Sequence, residues 1–167
     1  MSVRLIVMRH AKAVPSAATD HARPLSARGR ADSADAGRWI AREGYVPDLA
    51  LVSDAVRTRQ TWASVEAAIG TEIAAVYDGS LYGAGPESVL EAVRLVPEDA
   101  GTVIVVGHNP TALWLAHALD DTESQVDRDL VERGFPTCAL AVFEFEGDWH
   151  SVGWQRGRLL AAHAGRG

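Results

Sequence analysis

Two histidines and two arginines occur in this sequence at or shortly after the ends of short apolar runs. Arg9 and His10 follow the run of residues 3–8, Arg57 lies just beyond a second run, and His108 follows a third. A neutral imidazole can attack an electrophile, and guanidinium groups can hold phosphoryl oxygens through charge-assisted hydrogen bonds. These residue types therefore predict phosphoryl chemistry, in which a histidine attacks phosphorus and the arginines neutralise the developing charge.

His10 is the stronger candidate for the nucleophile, because its neighbour Arg9 can hold the phosphoryl group in place. Nearby cations also disfavour imidazolium and help to keep the attacking ring unprotonated. His108 would donate hydrogen bonds to phosphoryl oxygens, Arg57 would share the binding with Arg9, and water would then release phosphate from the phosphohistidine. No His, Cys, Asp or Glu cluster has the spacing of metal ligands, so no metal is expected.

Each of these residues, taken alone, also has an ordinary explanation. A histidine after a strand is usually a polar residue at a sheet edge, and Arg57 alone would be a surface residue of a helix. The other four histidines have no comparable context and are interpreted as structural or exposed: His21, His117, His150 and His163. The functional interpretation depends on three basic positions that follow three strand-like runs.

Strand-like runs alternate with helix-like segments along the chain, which is typical of an α/β fold with a mostly parallel sheet. The strand candidates are residues 3–8, 49–52, 73–77, 102–107, 138–145 and 149–155, and the last two would form a hairpin across residues 146–148. Residues 102–106 are all β-branched, as in a central parallel strand. Because the carboxyl ends of parallel strands meet at one edge, where ligands bind, the three basic positions are expected to converge there.

Helices are predicted between these strands. Ser26 would cap a helix that runs to about Arg42, with Gly44 near its end, and a second helix would follow Arg57. A third would follow Pro86 and include Val96, and a fourth would begin with an Asn109 cap and Pro110 at the first helical position. The acidic and mixed-charge segment 120–137 would be a solvated connection, with a short helix and a mobile lid as the alternative.

Composition limits the class of protein. The chain has 167 residues, 47% of them hydrophobic, which predicts a single domain over residues 1–167 with a sizeable core. A formal net charge of −6 argues against a nucleic-acid partner. Cys138 is the only cysteine, and there is neither a signal-like segment nor an apolar run of about 20 residues. These features predict a cytoplasmic protein without a membrane partner.

Five segments, in order, resemble the motifs of the histidine phosphatase superfamily and its small SixA-like branch. They are Arg9–Ala11, Arg23–Gly29, Ser53–Thr61, Gly107–Pro110 and Phe135–Val142. The first departs from the family's Arg-His-Gly by having alanine in the third place. The resemblance implies a three-layer α/β/α fold with a mostly parallel sheet, a phosphorylated nucleophile at His10, and a phosphate pocket completed by Arg9, Arg57 and His108, with no cofactor.

The resemblance also implies a phosphorylated substrate, with a histidine-containing phosphotransfer protein as the expected partner. Larger members of the superfamily place a carboxylic acid in the pocket to protonate the leaving oxygen. Glu87 is the nearest candidate by position, but it is interpreted as a carboxylate at a helix start. A missing acid matters less for a P–N bond, because imidazole, with a pKa of about 6.5, leaves more easily than an alkoxide. Two alternatives remain: a small-molecule phosphomonoesterase, and a weakly catalytic phosphate-binding regulatory module.

Overall fold

The computed structural model describes residues 1–167, and its centre is a six-stranded sheet in the order β3-β2-β4-β1-β5-β6. The strands are β1 (Ser2–Arg9), β2 (Leu49–Ser53), β3 (Ala74–Asp78), β4 (Thr102–Gly107), β5 (Ala139–Glu146) and β6 (Arg158–Ala164). The first four strands are parallel, β5 runs antiparallel to β1, and β6 runs antiparallel to β5. The prediction of a mostly parallel α/β fold is confirmed.

Helices cover both faces of this sheet. They are α1 (Ala27–Glu43), α2 (Val56–Ile69), α3 (Pro86–Arg94), α4 (Thr111–Leu119) and the short α5 (Asp129–Glu132). Successive side chains of β1 point to opposite faces, so Ile6 and Met8 pack with the core of α1 and α2, whereas Leu5 and Val7 pack with that of α3 and α4. The result is the predicted three-layer arrangement, with a hydrophobic core on each side of the sheet.

The helix α1 begins and ends where the sequence predicts. The Ser26 side chain accepts a hydrogen bond from the Gly29 amide at 3.1 Å, and Gly44 ends the helix in the left-handed conformation, with φ 78°. Gly29 also permits a close approach, because a Cβ there would lie 2.1 Å from the carbonyl oxygen of Lys12. The start of α1 therefore rests directly on the segment that follows His10.

Two other helix boundaries differ slightly from the prediction. The helix α3 ends at Arg94, so Val96 lies beyond it. The helix α4 begins at Thr111, and Pro110 is the residue before it rather than the first helical residue. The Asn109 side chain still accepts a hydrogen bond from the amide of Leu113 at 3.3 Å, so it contributes to the start of this helix.

The strand predicted at residues 149–155 is wrong, whereas its neighbour β5 is confirmed. Asp148 accepts hydrogen bonds from Ser151 and so stabilises a 3-10 turn at Trp149–Ser151. The Trp149 indole is buried and donates a hydrogen bond to the Ala100 carbonyl at 2.6 Å. The strand that pairs with β5 comes later, at β6.

The interpretation of residues 120–137 as a solvated connection is wrong for four of its residues, which are buried or hydrogen-bonded to the rest of the protein. The carboxylate of Asp120 is buried and lies 2.7 Å from the Arg128 guanidinium. Ser124 donates a hydrogen bond to the Leu159 carbonyl at 2.7 Å, and Val131 and Phe135 belong to the core. The segment is therefore packed against the rest of the protein at these residues.

The three strands that carry the predicted basic positions end at one level. Val106 of β4 pairs with Met8 of β1 on one side and with Val52 of β2 on the other. The residues that follow these positions therefore share one edge of the sheet. None of the helices combines the length and the apolar character needed to cross a membrane.

Candidate active site

The backbone of His10 is held between the ends of two neighbouring strands. Its amide donates to the Gly107 carbonyl at 3.0 Å, and its carbonyl accepts from the Cys138 amide at 3.0 Å. His10 is only 8% exposed. The ring therefore projects from a fixed backbone at the carboxyl edge of the sheet.

Hydrogen bonds to its two nitrogens determine the state of the His10 ring. Nδ1 lies 2.7 Å from the Ala11 carbonyl oxygen, and because a carbonyl only accepts, Nδ1 carries the proton. Nε2 then holds a lone pair, which accepts a hydrogen bond from Arg57 Nε at 3.3 Å. Nε2 is thus the unprotonated nitrogen, and it faces a guanidinium group.

The Thr61 hydroxyl fixes Ala11, the residue whose carbonyl orients this ring. It accepts a hydrogen bond from the Ala11 amide at 3.0 Å and donates one to the Arg57 carbonyl at 2.7 Å. Thr61 is fully buried. One side chain of α2 therefore links the segment after β1 to the residue that carries the facing guanidinium.

The Arg57 guanidinium is buried and is shared between His10 and Asp20. Arg57 Nη1 donates to the Asp20 carbonyl at 2.9 Å, and Nη2 donates to the Asp20 carboxylate at 3.1 Å. The same carboxylate accepts hydrogen bonds from Arg23 at 2.8 Å and from the Tyr82 hydroxyl. Hydrogen bonds from Tyr82 and Arg23, together with Arg57, hold the pKa of Asp20 well below its usual range.

His108 completes a pair of histidines at this edge. Its ring centroid lies 5.4 Å from that of His10 and 5.4 Å from that of Tyr82. His108 Nε2 is 2.8 Å from the Ser53 hydroxyl, whereas its Nδ1 is buried without a hydrogen-bond partner in the protein.

Arg9 approaches the same edge from the end of β1. Its Nη1 donates to the Phe135 carbonyl at 3.3 Å, and that carbonyl also accepts from the Asn109 side chain at 3.0 Å. Arg9 Nε is buried without a partner. Since buried polar atoms are usually paired, the unpaired N–H of Arg9 leaves a donor unused in the protein, which suits an anionic ligand.

Burial and mutual repulsion lower the pKa values of these basic groups. Burial, together with the smaller effects of His108, Arg57 and Arg9, lowers the pKa of His10 to about 3 against the opposing effect of the Ala11 hydrogen bond. Burial, followed by the charge of Arg57, lowers the pKa of His108 to about 4. Burial and Arg57 also lower the pKa of Arg9. Both imidazoles are therefore neutral near physiological pH.

We expect the ring resonances of His10 and His108 to show no protonation in the folded protein above about pH 5, unlike a free histidine with a pKa of about 6.5. Below about pH 6.5 the histidines of the unfolded chain bind protons that those of the folded protein do not. The free energy of unfolding should therefore fall as the pH drops from about 6.5 towards 4. NMR titration and urea unfolding at several pH values measure the two effects. His10→Asn should lessen the acid loss of stability, whereas rings that titrate near 6.5 would contradict this account.

The structure brings together all four residues predicted for the site: Arg9, His10, Arg57 and His108. Glu87 lies in the first turn of α3, as the helix-start interpretation predicts. His21 is partly exposed and lies at the rim of the site, which agrees with its interpretation as structural or exposed. Its Nε2 is 2.8 Å from Asp54, and its ring centroid is 5.0 Å from that of Tyr82.

Sequence reasoning did not single out five other residues of the site: Asp20, Ser53, Thr61, Tyr82 and Phe135. Three of them lie within motif segments but have no role assigned by the sequence: Ser53, Thr61 and Phe135. Asp20 and Tyr82 come from loops, and Phe135 acts through its carbonyl, which carries no sequence signal.

No protein-family profile matches the chain. An uncharacterised protein of Mycobacterium tuberculosis (strain ATCC 25618 / H37Rv) is 37% identical over 163 residues, which cover 95% of this chain and 100% of the relative.

Two solved structures are similar over nearly their whole length, and each was assigned as a phosphohistidine phosphatase SixA. The one from Nakamurella multipartitia is 32% identical with a TM-score of 0.85, and the match covers 99% of this chain and 97% of the other. The one from Agrobacterium tumefaciens is 32% identical with a TM-score of 0.80, and the match covers 97% of both chains. The chain therefore belongs to the SixA-like branch of the histidine phosphatase superfamily and is a phosphatase.

Proposed function

We propose that this phosphatase hydrolyses phosphohistidine and works through a phosphorylated His10. The observation that carries the proposal is the state of the His10 ring: Nδ1–H is bound to the Ala11 carbonyl at 2.7 Å, which leaves the Nε2 lone pair facing Arg57. A nucleophile that is neutral, oriented and flanked by guanidinium groups is suited to attack on a phosphoryl dianion.

In the proposed reaction, His10 Nε2 attacks phosphorus while the bond to the leaving group breaks. Arg9, Arg57 and His108 bind the phosphoryl oxygens and stabilise the charge spread over them in the transition state. Water then attacks the phosphohistidine, phosphate departs, and the Nε2 lone pair is restored. To bind the phosphoryl group fully, Arg57 exchanges part of its contact with Asp20 for contact with the substrate.

The leaving group favours a P–N substrate over an alkyl ester. An alkyl ester needs a proton donor for its leaving oxygen, yet Asp20, a carboxyl group at this site, has a pKa held below its usual range and so is ionised. Imidazole needs no such donor when the second nitrogen of the substrate ring already carries a proton, since it then leaves as a neutral base. The SixA assignment of the two similar structures supports a phosphorylated protein as substrate, and we propose a histidine-containing phosphotransfer protein, met in the cytoplasm.

A substrate comparison tests the proposal. The protein, without added metal, is incubated with a phosphohistidine protein, an aryl phosphate and an alkyl phosphate, and released phosphate is measured. We expect kcat/KM to follow that order. Failure to hydrolyse the phosphohistidine protein would overturn the substrate assignment, and a preference for the alkyl phosphate would overturn the leaving-group argument and favour a small-molecule phosphomonoesterase.

The Thr61 link gives a separate prediction about the positioning of His10. Thr61→Val keeps the shape of the side chain but removes the hydrogen bonds to Ala11 and Arg57, so we expect kcat to fall about tenfold and stability by about 1 kcal/mol. Steady-state kinetics and urea unfolding measure both effects. Thr61→Ser retains the hydroxyl and should recover most of the lost kcat. Equal kcat for the valine and serine variants would show that the hydroxyl does not position the ring.

A further inference from the structure

Asp20 places a permanent negative charge at the mouth of the phosphate pocket. Its carboxylate lies 3.1 Å from Nη2 of Arg57, the arginine whose Nε donates to His10 Nε2. The Nε and Nη2 groups share one edge of a guanidinium, so the Asp20 oxygen and the nucleophilic nitrogen are neighbours along that edge. The Asp20 side chain is 53% exposed, whereas that of Arg57 is 8% exposed. Asp20 is thus on the solvent side of Arg57.

The leaving group must pass on this same side. In phosphoryl transfer the attacking and leaving atoms lie roughly in line on opposite sides of phosphorus. His10 is buried and held by backbone hydrogen bonds to Gly107 and Cys138, so the side of phosphorus away from Nε2 faces the mouth. The leaving atom is therefore on the side where the Asp20 carboxylate stands.

The Asp20 carboxylate has acceptor capacity left for a ligand. An ionised carboxylate offers about four acceptor positions. One oxygen accepts from Arg57 and from the Tyr82 hydroxyl, and the other accepts from Arg23. One position on the second oxygen remains, on a side chain that is half exposed.

We propose that Asp20 determines which leaving group the site accepts, by hydrogen bonding to the protonated imidazole ring of the substrate and by repelling negative charge on a leaving oxygen. This inference rests on the proposed phosphohistidine phosphatase activity. The substrate ring carries the phosphoryl group on one nitrogen and a proton on the other, and that second N–H donates to Asp20. The carboxylate favours this cationic form over the neutral one.

The step balances without any further acid. The bond between phosphorus and His10 Nε2 forms while the bond between phosphorus and the substrate nitrogen breaks. The electron pair of the broken bond stays on that nitrogen and cancels the positive charge of the ring, which departs as neutral imidazole with its proton still on the second nitrogen. For an aryl phosphate the same electron pair goes to oxygen, and the negative charge that grows there faces Asp20.

The test compares Asp20→Asn with the unmodified protein on phosphoimidazole and on an aryl phosphate. The variant keeps an acceptor oxygen but loses the charge. We expect kcat/KM for phosphoimidazole to fall about three- to tenfold, a modest effect because the carboxylate is half exposed, while kcat/KM for the aryl phosphate stays the same or rises. The alkaline limb of the phosphoimidazole pH profile should also move to lower pH, because the cationic substrate is no longer favoured.

Asp54→Asn is the matched control, since Asp54 is a rim carboxylate that accepts from His21. We expect it to leave the ratio of the two kcat/KM values within about twofold. In Asp20→Asn, a parallel fall in kcat/KM for both substrates, a rise for both, or no change for either would overturn the role of Asp20. Such a result would leave the proposed function standing. Hydrolysis of the aryl phosphate without any of phosphoimidazole by the unmodified protein would overturn the proposed function and the inference with it.

Discussion

The His10→Asn variant is expected to lose phosphatase activity by about 10⁴-fold or more, because removing a nucleophile eliminates the covalent route altogether. Asparagine is close to histidine in polarity and fills part of the same space, but its amide cannot form the phosphorylated intermediate. The measurement is phosphate release from an aryl phosphate, with circular dichroism to show that the variant is folded.

His117→Asn is the control for this substitution, since His117 is exposed on α4. It should leave kcat and KM within about twofold of their original values, as surface substitutions usually do. Inorganic phosphate should still bind the His10 variant, because the pocket keeps Arg9, Arg57 and His108. Turnover by His10→Asn within tenfold of the unmodified protein would remove His10 as the nucleophile.

The Arg57→Lys variant is expected to lose about 10²- to 10³-fold in kcat/KM, the usual effect of removing one preorganised donor from a site where charge develops. Lysine keeps the positive charge but cannot present three donors in one plane. Arg57 uses these donors to contact His10 Nε2 at 3.3 Å, the Asp20 carbonyl at 2.9 Å and the Asp20 carboxylate at 3.1 Å. The effect should appear mainly in kcat, because the fork is needed most when charge spreads over the phosphoryl oxygens.

A neighbouring arginine supplies the matched control for the lysine substitution. Arg59 is two residues further along α2, and its guanidinium lies over the ring of Tyr77 at 4.4 Å. Arg59→Lys should change kcat/KM by about twofold or less. An Arg57→Lys variant that keeps more than a third of the original kcat/KM would mean that charge alone suffices at this position.

The parts of the fold that sequence predicts well are those where one local signal dominates. Residues 102–107 are strongly β-branched and form the central strand β4, and Ser26 and Gly44 carry the cap chemistry that begins and ends α1. Sequence places the hairpin partner of β5 too early, because Trp149 and Val152 are apolar, as residues of a buried strand are. Both residues are buried, but Asp148 stabilises a turn there instead of a strand. The actual strand β6 contains three alanines among its seven residues and no β-branched residue, so its strand pattern is weaker.

The residues of the candidate site also differ in how well sequence predicts them. Arg9, His10 and His108 directly follow or end strands, so the shared edge of a parallel sheet is enough to predict that they meet. Asp20 reaches Arg57 from a polar loop 37 residues earlier in the chain, a contact that no local pattern contains. Tyr82 reaches the same carboxylate from a loop between β3 and α3. Such contacts depend on loop paths, which only the folded structure defines.

The central claim is that turnover passes through a phosphoryl group on His10, and trapping that group tests it most directly. The protein is mixed rapidly with labelled phosphohistidine protein, the reaction is stopped with alkali during the first turnover, and mass spectrometry of the digested protein locates the phosphoryl group. The account predicts one acid-labile phosphoryl group, on Nε2 of His10. A phosphoryl group on any other residue, or labelled phosphate released in the first turnover without any label on His10, would contradict it.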